Sequence, residues 1–337
     1  GSVCLVRSIN WGAWAGGMVS PSLVAHFEAR GVALLPLGSG ARAFAGELST
    51  VRGGAAEVVV TANGAPTFAA SAHASKSSTL LVNSRTYPFL DGHRIQNTPV
   101  VPVVLVLEWF FRAAAAFHPE IRVSKCADLK VLSGILLPDF EGRGSQADVQ
   151  CESIGGSPQT LRCALSSQGR LHYSATLSAG ALHPEPTPSY LKPVTVNGDA
   201  NGKHFYPGRL FHGPAFQIIR HLYEMDGHGA SALLQSTESM AWNASGPWRT
   251  DVAGMDGALQ VIRLWTTENL GGPSLPTSIG QFLSFAGEPA AGLIHCVARC
   301  RAVGTLRTLA DVTLADTDGR PLAELRDVEM HVTAEAD

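Results

Sequence analysis

Charge is what this chain has little of. Lys and Arg number 25 and Asp and Glu 28 among 337 residues, so charged side chains make up 16% against a hydrophobic share of 45%, with a formal net charge of −3. There is no basic run and no interleaving of basic with aromatic residues, which sets nucleic acid aside as a partner. No apolar run reaches the roughly 18–20 residues of a membrane span. The longest, Val100 to Phe117, is interrupted by Glu108 and Arg112 and reads as a buried helix, so no membrane partner is expected. No signal peptide is evident, and Gly1–Ser2 reads as a cloning remnant outside the fold. Cysteine is sparse as well. Cys4, Cys126, Cys151, Cys163, Cys296 and Cys300 are scattered, and CVARC, the one close pair, has neither zinc nor redox spacing. Isolated buried thiols in a reducing cytoplasm are expected, with no metal and no disulfide.

What is present is a loop-rich globular composition, with 35 Gly and 20 Pro around a sizeable apolar share. Three blocks separate. Residues 1–62 read as strand (CLVRSINW), helix (Pro21 to Arg30), helix (Ser39 to Leu48) and buried strand (AEVVVTA), a fragment of an α/β sheet too short for a complete nucleotide-binding domain. Residues 63–78, small and polar, read as a linker. Residues 79–181 hold one long apolar helix, Pro102 to Phe117. Strand-like runs follow at Cys126–Leu137, Ala147–Ile154, Gln159–Ser167 and Arg170–Leu177. After a Pro-rich linker over 182–200, residues 201–335 repeat that plan. Their helix is Val252 to Thr267, with strands at Thr277–Phe285, Gly292–Arg301, Thr305–Ala315 and Pro321–Val332. Helix followed by meandering strands is an α+β layer plan, each helix packed on a curved antiparallel sheet.

Three clusters could carry chemistry. His93 precedes Pro102, where the first long helix starts; a helix start offers unpaired N–H groups and positive dipole character to a carbonyl oxygen gaining negative charge. His93 could equally be an ordinary loop histidine. Asp256 and Gln260, four apart on the second helix, point the same way among apolar neighbours. Asp256 is then either a helix-start carboxylate favoured by the dipole, or a desolvated acid of raised pKa held by Gln260. In LFHGPAFQ (Leu210–Gln217), Gly213–Pro214 is a turn between core side chains. It could also let the backbone approach a ligand, with Phe211 and Phe216 lining an apolar slot.

Taken together, residues 79–335 resemble the dehydratase domain of type I polyketide and fatty-acid synthases, a double hot-dog fold. The resemblance rests on a histidine motif, His93 to Pro102, a GPxF-type turn, Gly213-Pro214-Ala215-Phe216, and a DxxxQ motif, Asp256 to Gln260. Residues 1–62 are similar to the C-terminal end of that family's ketoreductase domains through INWGAWAGGM and PLGSGARAFAGEL. The wording around NWGAWAGGMV and PVVPVVLVLEW looks most like synthases of polyunsaturated fatty acids. Asn97 stands where the family has a Gly, a position at which Asn tolerates left-handed backbone. Val103 stands where a second Gly is usual.

The resemblance implies dehydration of a 3-hydroxyacyl thioester on acyl carrier protein to a 2-enoyl thioester. His93 would be the base, Asp256 the acid and Gln260 its holder. Asn97, Pro102, Val103, Phe211, Gly213, Pro214 and Phe216 would contact substrate. It implies no metal or redox cofactor, the substrate riding on the carrier's phosphopantetheine arm. The implied partners are acyl carrier protein, neighbouring synthase domains and a second copy in a homodimer. A double-bond isomerase, a product-template-like cyclase, or a degenerate scaffold are the alternatives on the same fold.

Overall fold

The computed structural model describes residues 8–16, 24, 33–49, 57–60, 62, 76–154, 160–180, 205–206, 208–242 and 246–333. It divides into two compact units, Gly1–His73 and Ala74–Asp337. The first holds β1 (Ser8–Trp11), β2 (Trp14–Ala15), β3 (Leu35–Pro36), α1 (Leu37–Ser49) and β4 (Glu57–Val60). Both strand pairs are parallel, β1 with β4 and β2 with β3, the pairing an α/β fragment requires because a parallel return needs a long crossover. The helix expected over Ser39–Leu48 is α1. The one expected over Pro21 to Arg30 lies, but for Val24, outside the described residues, as do the 182–200 linker and residues 63–75.

The second unit is one continuous antiparallel sheet curved around two central helices. In chain order it contains β5 (Lys76–Val82), a 3₁₀ turn (Pro88–Gly92), β6 (Arg94–Ile95), β7 (Thr98–Pro99), α2 (Val103–Phe117), β8 (Val123–Val131), β9 (Ser145–Ser153), β10 (Thr160–Ser167) and β11 (Arg170–Ala179). A second 3₁₀ turn (Pro214–Phe216) leads to β12 (Ile219–Asp226), β13 (Gly229–Gln235), α3 (Val252–Leu270), β14 (Ser274–Ser284), β15 (Leu293–Val303), β16 (Arg307–Ala315) and β17 (Pro321–Val332). The 11 strands of the large sheet run β12-β13-β15-β16-β17-β14-β8-β11-β10-β9-β5. Antiparallel pairing of β14 with β8, Ser278 against Lys130 through Leu283 against Lys125, is the seam that joins the halves. This is a double hot dog. No described helix is long and apolar enough to cross a membrane.

Each helix reflects its sequence. α2 is apolar on nearly every face and is buried over Val103–Phe111, as expected for a helix wrapped by a sheet rather than laid on it. Pro102 caps its start at φ −63°, a geometry proline already has, and needs no amide of its own there. α3 starts on Asp251, whose carboxylate accepts from the Gly254 amide at 2.9 Å and from the Thr237 amide and hydroxyl, and stops at left-handed Gly271. Gly254 and Gly257 let α3 lie close to its sheet. A Cβ added to either would stand 2.3 Å from Ile294 Cδ1 or 2.7 Å from Ile218 Cγ2.

Candidate active site

Where the halves meet, a cavity of about 340 Å³ opens. His93 enters it from the end of the first 3₁₀ turn, Pro102 and Val103 from the start of α2, and Asp256, Leu259, Gln260 and Arg263 from one face of α3. Backbone pairing fixes the two turns against each other: the Gly213 N–H donates to the Gly92 carbonyl at 2.7 Å, and His93 bridges His212. One ring nitrogen each from His93 and His212 and a carboxylate oxygen of Asp256 all lie within 4.8 Å of one another. By type these donors would also suit a divalent cation, although the chemistry below asks for none.

The histidine and the acid are held differently. His93 is buried, and its Nδ1 is 2.8 Å from the Val100 carbonyl oxygen. A carbonyl only accepts, so Nδ1 carries the proton and Nε2 keeps its lone pair. Burial depresses the His93 pKa to about 4, against the pull of that hydrogen bond. Asp256, 3% exposed, has its pKa pushed up to about 7 by burial, and Gln260 opposes the shift by donating from Nε2 to Asp256 Oδ2 at 2.8 Å. Gln260 in turn donates to the Phe216 carbonyl at 3.0 Å and accepts from the Tyr206 hydroxyl, so its amide cannot turn. Near pH 6 the site therefore holds a neutral imidazole and a neutral carboxyl, a base and an acid facing one space.

The start of α2 adds donors. The Leu105 and Val106 amides both donate to the Pro102 carbonyl, but those of Val103 and Val104 have no acceptor among the described residues. Val103 lines the cavity, so the start of α2, with its unpaired amides, lies at the cavity wall.

Asn97 sits exposed at the tip of the β6–β7 hairpin, where Gln96 (φ 48°) and Asn97 (φ 64°) form a two-residue left-handed turn, and its carbonyl accepts from Arg94. The substitution is tolerated for the reason Asn allows, but it does not line the cavity. Gly213, Pro214 and Phe216 stand beside the cavity without lining it. Gly213 packs on Gly92, where a Cβ would lie 3.1 Å from the Gly92 Cα. The fully buried Phe216 ring backs His93 at 5.0 Å, behind the catalytic space rather than in it. Phe211 does line the cavity, stacked on His212 with centroids 4.1 Å apart.

His212 is the residue sequence reasoning passed over, although it lies inside the LFHGPAFQ run. Its Nε2 is 3.7 Å from Asp256 Oδ2, and burial holds its pKa well below the usual histidine value. It is thus a second neutral imidazole. Arg263 and Ser274 are also in the wall.

Known proteins resemble this chain in sequence and in fold. Residues 183–337 match the family described as "Polyketide synthase dehydratase N-terminal domain". The chain is 26% identical over 317 residues to a polyunsaturated fatty acid synthase component from a Thraustochytrium species, a match covering 84% of this chain and only 10% of that much longer protein. Among solved structures, the dehydratase domain of the polyketide synthase PpsC from Mycobacterium tuberculosis superposes with a TM-score of 0.62 at 19% identity, covering 78% of this chain and 95% of that one. The dehydratase domain of a mycocerosic acid synthase-like polyketide synthase gives 0.62 at 18% identity, with 77% and 92% coverage. That of the CurF module of the curacin synthase gives 0.60 at 16%, with 77% and 94%.

Proposed function

We propose that this chain, whose residues 183–337 match the family described as "Polyketide synthase dehydratase N-terminal domain", removes water from a 3-hydroxyacyl thioester to give a 2-enoyl thioester. The observation that carries the reading is the neutral pair, His93 with a free Nε2 and Asp256 with a protonated carboxyl, lining one cavity within 4.8 Å of each other.

His93 Nε2 takes a proton from C2. The C2–H pair moves onto the thioester carbonyl as an enolate, then returns to form the C2–C3 double bond as the C3–O bond breaks, and the departing oxygen takes the Asp256 proton and leaves as water. The thioester carbonyl gains charge as C2 loses its proton, and the amide of Val103, which lines the cavity at the start of α2, would be the donor to it. Removing one such donor costs roughly 3–4 kcal/mol in comparable sites. Gln260 keeps the carboxyl turned toward the substrate. No metal or redox group enters these steps.

The substrate would arrive on the phosphopantetheine arm of an acyl carrier protein, within a multidomain polyketide or fatty-acid synthase that can also pair as a homodimer. The Gly1–His73 unit would be the end of a preceding ketoreductase domain, supported by its parallel pairing. Among the described residues, five buried free thiols suit a reducing cytoplasm. A scaffold without chemistry would gain nothing from a buried carboxyl and two buried imidazoles, each of which costs desolvation. Incubation with a 3-hydroxyacyl thioester should yield the enoyl thioester, followed by its ultraviolet absorbance, and His93→Ala should abolish the signal. Absence of turnover with the unaltered protein would remove the reading.

A further inference from the structure

Two polar groups in the cavity wall are not used by the proton transfers. Ser274, at the start of β14, is fully buried, and its Oγ has no hydrogen-bond partner. Arg263 stands two turns beyond Asp256 on the same face of α3, about 10 Å along the helix axis. Its Nη1 donates to the Ser274 carbonyl and its guanidinium lies 5.1 Å from the Phe211 ring centre, so its orientation is set from two sides. Its Nε is buried and without an acceptor. No carboxylate lies within ion-pair distance of it among the described residues. The lining beside these two includes the apolar Val131, Leu275, Pro276 and Met330, and the Tyr173 hydroxyl there is engaged by the backbone at Ile135.

A buried donor left unmade costs its full desolvation. An arginine fixed by stacking and one backbone bond, beside an unsatisfied hydroxyl in an apolar wall, is arranged for an acceptor that arrives with the ligand. We propose that Arg263 Nε and Ser274 Oγ form a subsite for a carbonyl oxygen of the thioester, about 10 Å from the reacting carbons. Burial lowers the Arg263 pKa only to about 10, so the guanidinium stays charged at neutral pH and its bond to that oxygen is charge-assisted. The inference rests on the thioester reading above. Two parts of such a molecule can supply the oxygen: the first amide of the pantetheine arm, or a keto group on the acyl chain. Either would anchor the substrate by a group that takes no part in elimination.

Saturated thioesters, which cannot lose water, separate this question from turnover. Hexanoyl N-acetylcysteamine thioester would be compared with the hexanoyl S-alkyl thioester of equal length, and a keto-bearing long-chain acyl thioester with its plain counterpart. Dissociation constants would be read by calorimetry in the unaltered protein, Arg263→Met and Ser274→Ala. The oxygen-bearing member of at least one pair should bind roughly tenfold or more tightly, and both variants should bring that ratio toward one while leaving the plain ligand's affinity in place. Preference in the first pair assigns the arm, and in the second the chain. A ratio near one for both pairs in the unaltered protein, or a ratio unchanged in Ser274→Ala, the milder substitution, would overturn the subsite. The readout needs no catalysis, so a failure of dehydration would strike only the reading of the reaction.

Discussion

At the scale of single residues, burial decides the chemistry. An exposed histidine and aspartate would sit at pKa values that make the histidine partly cationic and the acid anionic near neutrality. Here desolvation moves both the opposite way, His93 down to about 4 and Asp256 up to about 7. The base works only when neutral, above pH 4, and the acid only when protonated, below pH 7. The profile of kcat/KM should therefore be flat between about pH 4 and 7 and fall about tenfold per unit above it. Asp256→Asn should lose that alkaline limb along with most of the rate. A rate that rises through pH 8 would mean that an ionised Asp256 is the working form.

At the scale of elements, the position of Asp256 depends on how closely α3 lies on its sheet. Gly257, next in the chain, faces Ile218 and Leu234. Gly257→Ala places a methyl within 2.7 Å of Ile218 Cγ2, and α3 must shift outward to admit it. Overpacking of this kind costs roughly 1–3 kcal/mol. The expected outcome is a lower Tm together with a lower kcat, since Asp256 moves with the helix; a lower Tm at unchanged kcat would show that the acid tolerates the displacement.

Both helices were legible in the sequence because their signals are local: the largely apolar run after Pro102, and the DxxxQ spacing followed by apolar turns. α3 runs on to Leu270, beyond the expected Thr267, and stops at left-handed Gly271. Three strands gave no such signal. β5 buries only its last residue, Val82, and its polar start reads as linker. β12 and β13 are short, lie at and beside the sheet edge, and carry small or charged residues where alternation would have marked them. Arg263 could have been found by carrying the helical spacing two turns past Asp256.

At the scale of the whole second unit, the site exists only because two hot dogs share one sheet and one buried clasp. Glu108, in α2 of the first half, is fully buried. It accepts from the Arg249 amide at 2.9 Å, the Thr250 amide at 2.8 Å, the Thr250 hydroxyl at 2.7 Å and Arg112 Nε at 2.6 Å. Thr250 precedes the Asp251 cap of α3, so this carboxylate ties the helix carrying Asp256 to the half carrying His93. No sequence pattern reveals it, because its partners stand 141 and 142 positions away. In the sequence Glu108 only broke an apolar run. Glu108→Ala leaves several buried donors unpaired and should cost roughly 3–5 kcal/mol, read as a lower urea midpoint, with Glu108→Gln losing less because one acceptor oxygen remains. Equal midpoints for Ala and the unaltered protein would show that the β14–β8 seam alone holds the halves together.

The division of labour between His93 and Asp256 is tested most directly by exchange of the C2 proton of a 3-hydroxyacyl thioester in deuterium oxide. The rate at which deuterium enters C2 would be followed by mass spectrometry in the unaltered protein, His93→Ala and Asp256→Asn. Exchange should vanish in His93→Ala and persist in Asp256→Asn, in which the base remains but the hydroxyl cannot leave. Exchange undiminished in His93→Ala would contradict the role of His93 as the base and, with it, the mechanism built on this cavity.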